Sequence, residues 1–147
     1  MDSKPVLPQE AAQSMVAACF AHQQQNGYSN VNVFVVDDGG HLLAAARQTS
    51  ACKACAGIAE NKAVTSALYS APTRVMADIS FGEGRDGVDA ALPGAAFVPG
   101  IVAFAGGLPV TTEAGVVIGG IGVSGASSDE DEQCAQAGID AISEILK

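Results

Sequence analysis

Hydrophobic residues along the chain recur with two different periods, and the changes of period outline the secondary structure. After Pro8, apolar residues follow one another at three- and four-residue spacing as far as Asn26-Gly27, which predicts a first helix from about Pro8 to Gln25. A second helix is built from alanines at near-helical spacing and ends near Ser70, because Pro72 disfavours helix at the residue before it.

Runs of β-branched and apolar residues predict the strands. Val31–Asp37 and His41–Arg47 flank the turn residues Asp38-Gly39-Gly40, which is typical of a β-hairpin. Two further short strands are predicted at Ile101–Ala105 and Leu108–Thr111. The run 116–123 is apolar on both alternation faces, as expected of a central strand covered on both sides. Its clustered glycines favour close packing of a helix over contact with a ligand.

Two segments remain between these elements. Residues 74–99 are rich in Gly and Pro, and we expect a long irregular connection of the kind that is often functional, without the signature of a phosphate-binding loop. The last helix follows Gly125. Ser127 and Ser128 each precede a carboxylate by three residues, Glu130 and Asp131, which is the spacing of a capping box. Capping is favoured over a divalent-cation cluster, because consecutive helical residues point in different directions.

Composition narrows the class of protein and of partner. A chain of 147 residues with 48% hydrophobic and 16% charged residues predicts one globular domain, residues 1–147. The formal net charge of −9 argues against nucleic acid or an anionic membrane surface as partner. No segment resembles a signal peptide or is long enough to span a bilayer, so a cytoplasmic protein is expected.

The four cysteines are expected to be reduced thiols in that compartment. Cys52-Lys53-Ala54-Cys55 has the spacing of a redox motif or of half a zinc site, but no second pair follows that would complete four zinc ligands. We therefore predict two free thiols at the start of the second helix, and no metal site.

Lys62 is the charged residue that the pattern singles out, because it lies beside the small-residue face of the second helix. Its ammonium either pairs with an acid or reaches solvent, or else it holds a carboxylate or an enolate-like oxygen. Asp37 ends a strand and could act as a general base, although bonding the amides of its own turn is the simpler interpretation. His22 lies near the end of the first helix, where the dipole favours it, rather than in a metal site.

Four stretches in the same order resemble the GlcG/HbpS-like family: VVDDGGHLLAAAR, ENKAVTSALYSAPT, AGGLPV and IGGIGVSGASSDEDEQCAQAG. That family includes haem-binding proteins and the C-terminal domain of some corrinoid adenosyltransferases, and the resemblance covers nearly the whole chain. It implies an α/β (α+β) fold of the profilin-like type, with three α/β/α layers and a five-stranded antiparallel sheet. It also implies homo-oligomers such as hexamers or octamers.

The resemblance also bears on ligand contacts. In the haem- and iron-binding branch, the helix around Lys62 carries two glutamates three residues apart, and the corresponding positions here are Gly57 and Glu60. That branch also has a Thr near Ile101 and a His near Leu7, and this chain has neither. His22 or a cysteine is the remaining candidate for an iron ligand.

Our leading hypothesis is a homo-oligomer that binds a small molecule, with haem or a corrinoid as candidate, between subunits and against the second helix and segment 74–100. An alternative is an enzyme of small-molecule catabolism, an isomerase, lyase or hydrolase, acting on a small acid or keto compound; Lys62 would hold the anionic oxygen and Asp37, Glu60 or a histidine would move the proton. A third is a ligand-free sensor or scaffold. The ligand-binding candidates are Lys62, Glu60, His22, Arg47, Gly106 and Gly107.

Overall fold

The computed structural model describes residues 3–147 as a four-stranded sheet with four α-helices. The helices are α1 (Gln9–Asn26), α2 (Cys55–Tyr69), α3 (Thr73–Phe81) and α4 (Ser128–Asp140), and the strands are β1 (Asn32–Asp37), β2 (Leu42–Arg47), β3 (Gly107–Thr111) and β4 (Val117–Ser124). Two short 3₁₀ segments lie at Ala95–Phe97 and Ser143–Leu146. The strand order is β2-β1-β4-β3 with every neighbouring pair antiparallel, so β4 is a central strand as predicted.

Helices cover both faces of the sheet. On one face, side chains of β1 and β4 such as Val33 and Ile121 pack with Met15 of α1 and Cys134 of α4 in one large apolar cluster. On the other face the buried apolar cluster is small and centres on Val36 with alanines of α2. The chain therefore has three layers, with α1 and α4 on one side of the sheet and α2 on the other.

The glycines of β4 bring α2 into backbone contact with the sheet. A Cβ atom on Gly122 would overlap the carbonyl oxygen of Ala59, and one on Gly120 would overlap that of Ala63. Neither carbonyl can move without shifting the helix, so only glycine permits this approach. The predicted close packing of a helix against this strand is confirmed.

Within residues 3–147 the sheet has four strands, and the expectation of five was wrong because Ile101–Ala105 does not pair with it. The hydroxyl of Thr65, on α2, instead takes part in two hydrogen bonds with this stretch of backbone. It donates to the carbonyl oxygen of Gly100 at 3.1 Å and accepts from the amide of Val102 at 3.2 Å. The segment consequently runs beside α2 without pairing with the sheet, and of its apolar residues Val102 and Ala105 are buried.

The segment predicted to be an irregular connection begins with helix α3, which is a second correction. Thr73, Met76, Ala77 and Ser80 recur at helical spacing and are buried. Pro72, interpreted as the end of α2, also precedes the first residue of α3, a position that suits proline. Within residues 3–147, no helix combines the length and the apolar character needed to cross a bilayer.

Candidate functional site

Lys62 lies wholly inside the protein, where β4 ends and α4 begins. Its Nζ donates to the carbonyl oxygen of Val123 at 2.8 Å and to Oδ2 of Asp131 at 3.1 Å, and its exposed fraction is 0%. The second carboxylate oxygen of Asp131 accepts from the amide of Ala126 at 2.9 Å. The charge of Lys62 is therefore already paired within the chain, as the first interpretation of this residue proposed.

The environment of this ion pair shifts both pKa values towards the neutral forms. Burial lowers the pKa of Lys62 and raises the pKa of Asp131. The charge of each partner opposes these shifts, and so do the hydrogen bonds between the two side chains. Removing either member of the pair would therefore leave the other as an uncompensated buried charge.

Gly106 and Gly107 pack against Lys62 and leave no room for a ligand between them. A Cβ atom on Gly106 would overlap Nζ of Lys62, and one on Gly107 would overlap the backbone carbonyl oxygen of Lys62. Gly106 also has φ of 132°, a value that L side chains rarely adopt. The absence of side chains at Gly106 and Gly107 admits the lysine, and their contact with a ligand stays a prediction.

A surface pocket of about 300 Å³ lies next to the buried lysine. We call it the arginine pocket; it is lined by Arg74 and Ala77 of α3, Arg85, Ala103, Phe104, Ala105, and Ser128 and Asp129 at the start of α4. The ring of Phe104 connects the pocket to Lys62, because Nζ lies 5.0 Å from the ring centroid, within the range of a cation–π contact. Phe104 is 46% exposed, so one part of the ring remains available to a ligand.

The two arginines of the pocket are paired with carboxylates that are exposed or partly exposed, and Arg85 also donates to the carbonyl oxygen of Gly82 at 3.2 Å. Arg74 contacts Asp129 and, through Nε at 3.2 Å, Glu132, while Arg85 contacts Asp78. Each arginine side chain is 51% exposed. Exposed ion pairs contribute roughly 0–1 kcal/mol, so a ligand carboxylate of good geometry can compete with them.

Asp37 lies at the opposite end of the sheet from Lys62. It pairs with Gly119, four residues along β4 from Val123, which is about 13 Å at the rise of a strand. Its Oδ1 accepts from the amides of Gly39 at 3.0 Å and His41 at 2.9 Å. This is the turn-bonding role that the simpler interpretation predicted.

The remaining candidates are also dispersed. Glu60 is exposed on α2, and Arg47 is exposed on the edge strand, where it donates to the carbonyl oxygen of Ala51 at 2.5 Å. His22 is partly buried near Tyr28, with ring centroids 5.8 Å apart, and its Nε2 has no hydrogen-bond partner among the described residues. None of these residues lines the arginine pocket. The acid–base hypothesis therefore lacks a set of residues that meet at one point.

The first four acidic residues of α4 serve capping and pairing. Ser127 Oγ accepts from the amide of Glu130 at 3.2 Å, and Glu130 Oε1 accepts from the amide of Ser127 at 3.1 Å. The predicted capping box is thus confirmed, whereas Asp131 turns inward to Lys62. In the part of the chain that the structure describes, no three His, Cys, Asp or Glu residues are grouped so that they could hold a metal ion.

Cys52 and Cys55 form a disulfide at the start of α2, so the prediction of two free thiols was wrong. The amide of Cys55 donates to the carbonyl oxygen of Cys52 at 3.2 Å, a turn that brings the two side chains together. The prediction of free thiols rested on the expected cellular compartment, which carries no information about the geometry of this turn. Cys19 and Cys134 are buried free thiols, as predicted.

One protein-family model, described as "Haem degrading protein HbpS-like", matches residues 7–140. The chain belongs to the HbpS-like family. The resemblance predicted from the four sequence stretches is thereby confirmed. Protein GlcG of Escherichia coli K12 is 36% identical over 126 residues, which cover 84% of this chain and 85% of GlcG.

Solved structures of HbpS and of a PduOC:heme complex share the fold. A double mutant of Streptomyces reticuli HbpS superposes with a TM-score of 0.82 at 33% identity, covering 97% of this chain and 90% of that one. A PduOC:heme complex superposes with a TM-score of 0.79 at 26% identity, covering 94% of this chain and 96% of that one. These agreements extend over the whole α/β architecture.

Proposed function

We propose that this HbpS-like protein binds a haem-type tetrapyrrole at the arginine pocket. The observation that carries the proposal is the position of two half-exposed guanidinium groups, those of Arg74 and Arg85, beside the exposed ring of Phe104 in one pocket. The family description and the solved PduOC:heme complex support haem as the class of ligand.

The chemistry of the pocket matches one edge of such a ligand. Haem and protoporphyrin carry two carboxylates on one edge of a large flat apolar ring. A guanidinium binds a carboxylate through two parallel hydrogen bonds, and an aromatic side chain packs well against a flat ring. Arg74 and Arg85 would hold the carboxylates. Phe104, whose ring also makes the cation–π contact with Lys62, would contact the ring of the ligand.

We infer that a second copy of the chain completes the site. At about 300 Å³ the pocket is at the lower limit of ligand sites, so it accommodates the carboxylate edge and only part of the ring. Apolar side chains are exposed on or against α3, the helix that carries Arg74: Val75 follows Arg74, and Phe97, 80% exposed, packs edge-on against Phe81 at the end of the helix. An exposed apolar surface of this kind is typical of contacts between subunits. The hexamer or octamer implied by the resemblance stays a prediction.

The residues that line the pocket also set how the ligand is recognised. They offer two guanidinium groups, one of them paired with Asp129 of the same lining, and an aromatic ring, while the iron-ligand candidate His22 and the buried thiols of Cys19 and Cys134 lie elsewhere. We therefore infer that the carboxylates and the ring carry the affinity, so that metal-free protoporphyrin IX binds about as tightly as haem. A corrinoid whose side chains are amides presents no such edge, and we do not propose it.

Titration with haem and with protoporphyrin IX, followed by absorbance and fluorescence, tests this proposal. Arg74→Gln and Arg85→Gln should each weaken binding of both ligands about tenfold or more, because hydrogen bonds to charged groups contribute roughly 1.5–3 kcal/mol. Arg47→Gln is the matched control, because Arg47 is an exposed arginine outside the pocket, and it should leave affinity unchanged. Equal affinity of all three variants would refute the assignment of the pocket.

A further inference from the structure

We propose that the Cys52–Cys55 disulfide is a reversible thiol–disulfide exchange site that reacts with dithiols. The site lies at the start of α2, and neither cysteine lines the arginine pocket. The two cysteines differ in accessibility: Cys52, which precedes the helix, is exposed, and Cys55, the first helical residue, is partly buried. An incoming thiolate can therefore approach the sulfur of Cys52 more easily than that of Cys55.

The start of α2 is suited to Cys55 as the leaving thiolate. The N-cap residue Ala54 supplies no side-chain hydrogen bond, and the first turn contains no acidic residue. The amide of Cys55 donates to Cys52, but no side chain caps the rest of the first turn, and the positive end of the helix dipole stabilises an anion there. Thiolates at helix N-termini have lowered pKa values for this reason, and a thiol of lower pKa leaves faster.

Asn32 provides a second, independent indication that this turn is built for two redox states. The side chain is 0% exposed, and its Nδ2 donates to the carbonyl oxygens of Cys52 at 3.3 Å and Ser124 at 3.2 Å. Both partners are acceptors, which fixes the orientation of the amide and leaves Oδ1 without a partner among the described residues. A buried unpaired acceptor is costly, and the thiols formed by reduction are donors, which the disulfide sulfurs are not.

The exchange balances without a further reactant. One thiolate of a dithiol attacks Sγ of Cys52, the Cys52–Cys55 bond breaks, and Cys55 leaves as a thiolate that takes up a proton. The second thiol of the reductant loses its proton and attacks the reductant's first sulfur, which is bonded to Sγ of Cys52 in the mixed disulfide. Cys52 leaves as a thiolate and takes up a proton. Two electrons pass to the protein, and the dithiol becomes a disulfide.

Thiol trapping with an alkylating reagent and mass spectrometry tests the site on the folded full chain. Before reduction, none of the four cysteines should be labelled. After incubation with dithiothreitol, Cys52 and Cys55 should be labelled, and oxidised dithiothreitol should reverse this. The buried Cys19 and Cys134 are the internal control and should react only in denaturant. Labelling of Cys52 and Cys55 before reduction would overturn the proposal, as would their resistance to dithiothreitol in the folded protein.

Two single variants test the order of attack. After each variant is converted to a mixed disulfide with a small aromatic thiol, dithiothreitol should release the aromatic thiolate at least about tenfold faster from Cys52, the cysteine left in Cys55→Ser, than from Cys55, the cysteine left in Cys52→Ser, because the sulfur of Cys52 is the more accessible one. Equal or reversed rates would contradict the assignment of Cys52 as the attacked residue.

A third variant tests Asn32 as a positioning residue. Asn32→Leu should shift the dithiol equilibrium towards the disulfide by about fivefold, the effect of one hydrogen bond that only the reduced form makes. A purely structural role would lower stability and leave this equilibrium unmoved, which would refute the part given to Asn32.

Discussion

The sheet packs against α1 and α4 on one face and against α2 on the other, and the two interfaces differ in composition. Among the described residues 3–147, the first contains a cluster of 16 buried apolar residues, whereas the cluster under α2 has three, Val36, Ala63 and Ala67. Under α2 the buried set also includes Lys62, Thr65 and Ser66. The α1/α4 face is thus held by apolar burial, and the α2 face by close approach and polar pairing.

This difference explains where the candidate site lies. Ser66 on α2 donates to the carbonyl oxygen of Leu108 at 3.1 Å, and Lys62 reaches Asp131 across the end of the sheet. Polar groups of this kind are costly unless each is satisfied, so they fix the geometry of the segments that they join. The arginine pocket lies beside this end of the sheet, where residues 103–105 and the start of α4 meet α3.

Breaking the buried pair should have the largest effect on stability. Lys62→Met leaves the carboxylate of Asp131 buried without a counter-charge, which should lower the free energy of unfolding by about 3–5 kcal/mol. Urea denaturation at neutral pH measures the loss. Lys147→Met removes an exposed lysine paired with Glu144 and is the control, for which we expect almost no change. Similar losses in both variants would contradict the importance of the buried pair.

The loss in Lys62→Met should also depend on pH. Burial already raises the pKa of Asp131 above 3.8, and without Lys62 it should rise further. Between 3.8 and the raised pKa, the folded variant binds a proton that the unfolded chain does not bind, so its stability increases as the pH falls through this window. The deficit relative to wild type should therefore be smaller at about pH 5 than at about pH 7. A deficit that does not change with pH would argue against this account.

Adding a methyl group between α2 and the sheet should have the next largest effect on stability. A methyl group at Gly122 collides with the backbone of Ala59, so Gly122→Ala should cost about 3 kcal/mol. Gly57→Ala, on α2, is the control. A Cβ atom at Gly57 would meet no atom within 4 Å, and the change should stabilise the protein by up to about 1 kcal/mol. Thermal and urea denaturation compare the two, and equal effects would mean that the helix is not held this closely.

Removing the cap of α4 should have the smallest effect. Ser127→Ala deletes the hydroxyl that accepts from Glu130 and should lower the free energy of unfolding by about 1 kcal/mol. Ser128→Ala removes the neighbouring exposed hydroxyl, and we expect almost no change in chemical denaturation. If the Ser128 variant lost more stability than the Ser127 variant, the capping box would be misassigned.

Local patterns predicted the elements whose hydrogen bonds are local. The hairpin of β1 and β2, the central strand β4 and the cap at Ser127 were all visible, because spacing alone defines them. Helix α3 was missed because only nine residues form it, directly after a proline already assigned to the end of α2. Ile101–Ala105 was predicted as a strand because its apolar run does not reveal that Thr65 would take its backbone groups.

The site was less predictable because it joins distant residues. Lys62 was identified from its helix face, but its partner Asp131 lies 69 residues further on and was interpreted as a capping residue. Arg74 and Arg85 lie in the segment expected to be functional, yet nothing in their spacing separates them from exposed charges. Phe104 was hidden in an apolar run, although it is 46% exposed.

The central claim, that the carboxylate edge of a tetrapyrrole binds at the arginine pocket, is tested most directly by comparing protoporphyrin IX with its dimethyl ester. The ester keeps the ring and removes both charges. Fluorescence titration of the wild-type protein should show that the free acid binds at least about tenfold more tightly than the ester, and that Arg74→Gln reduces this preference. Equal affinity for the two ligands, or no binding of the free acid, would contradict the account.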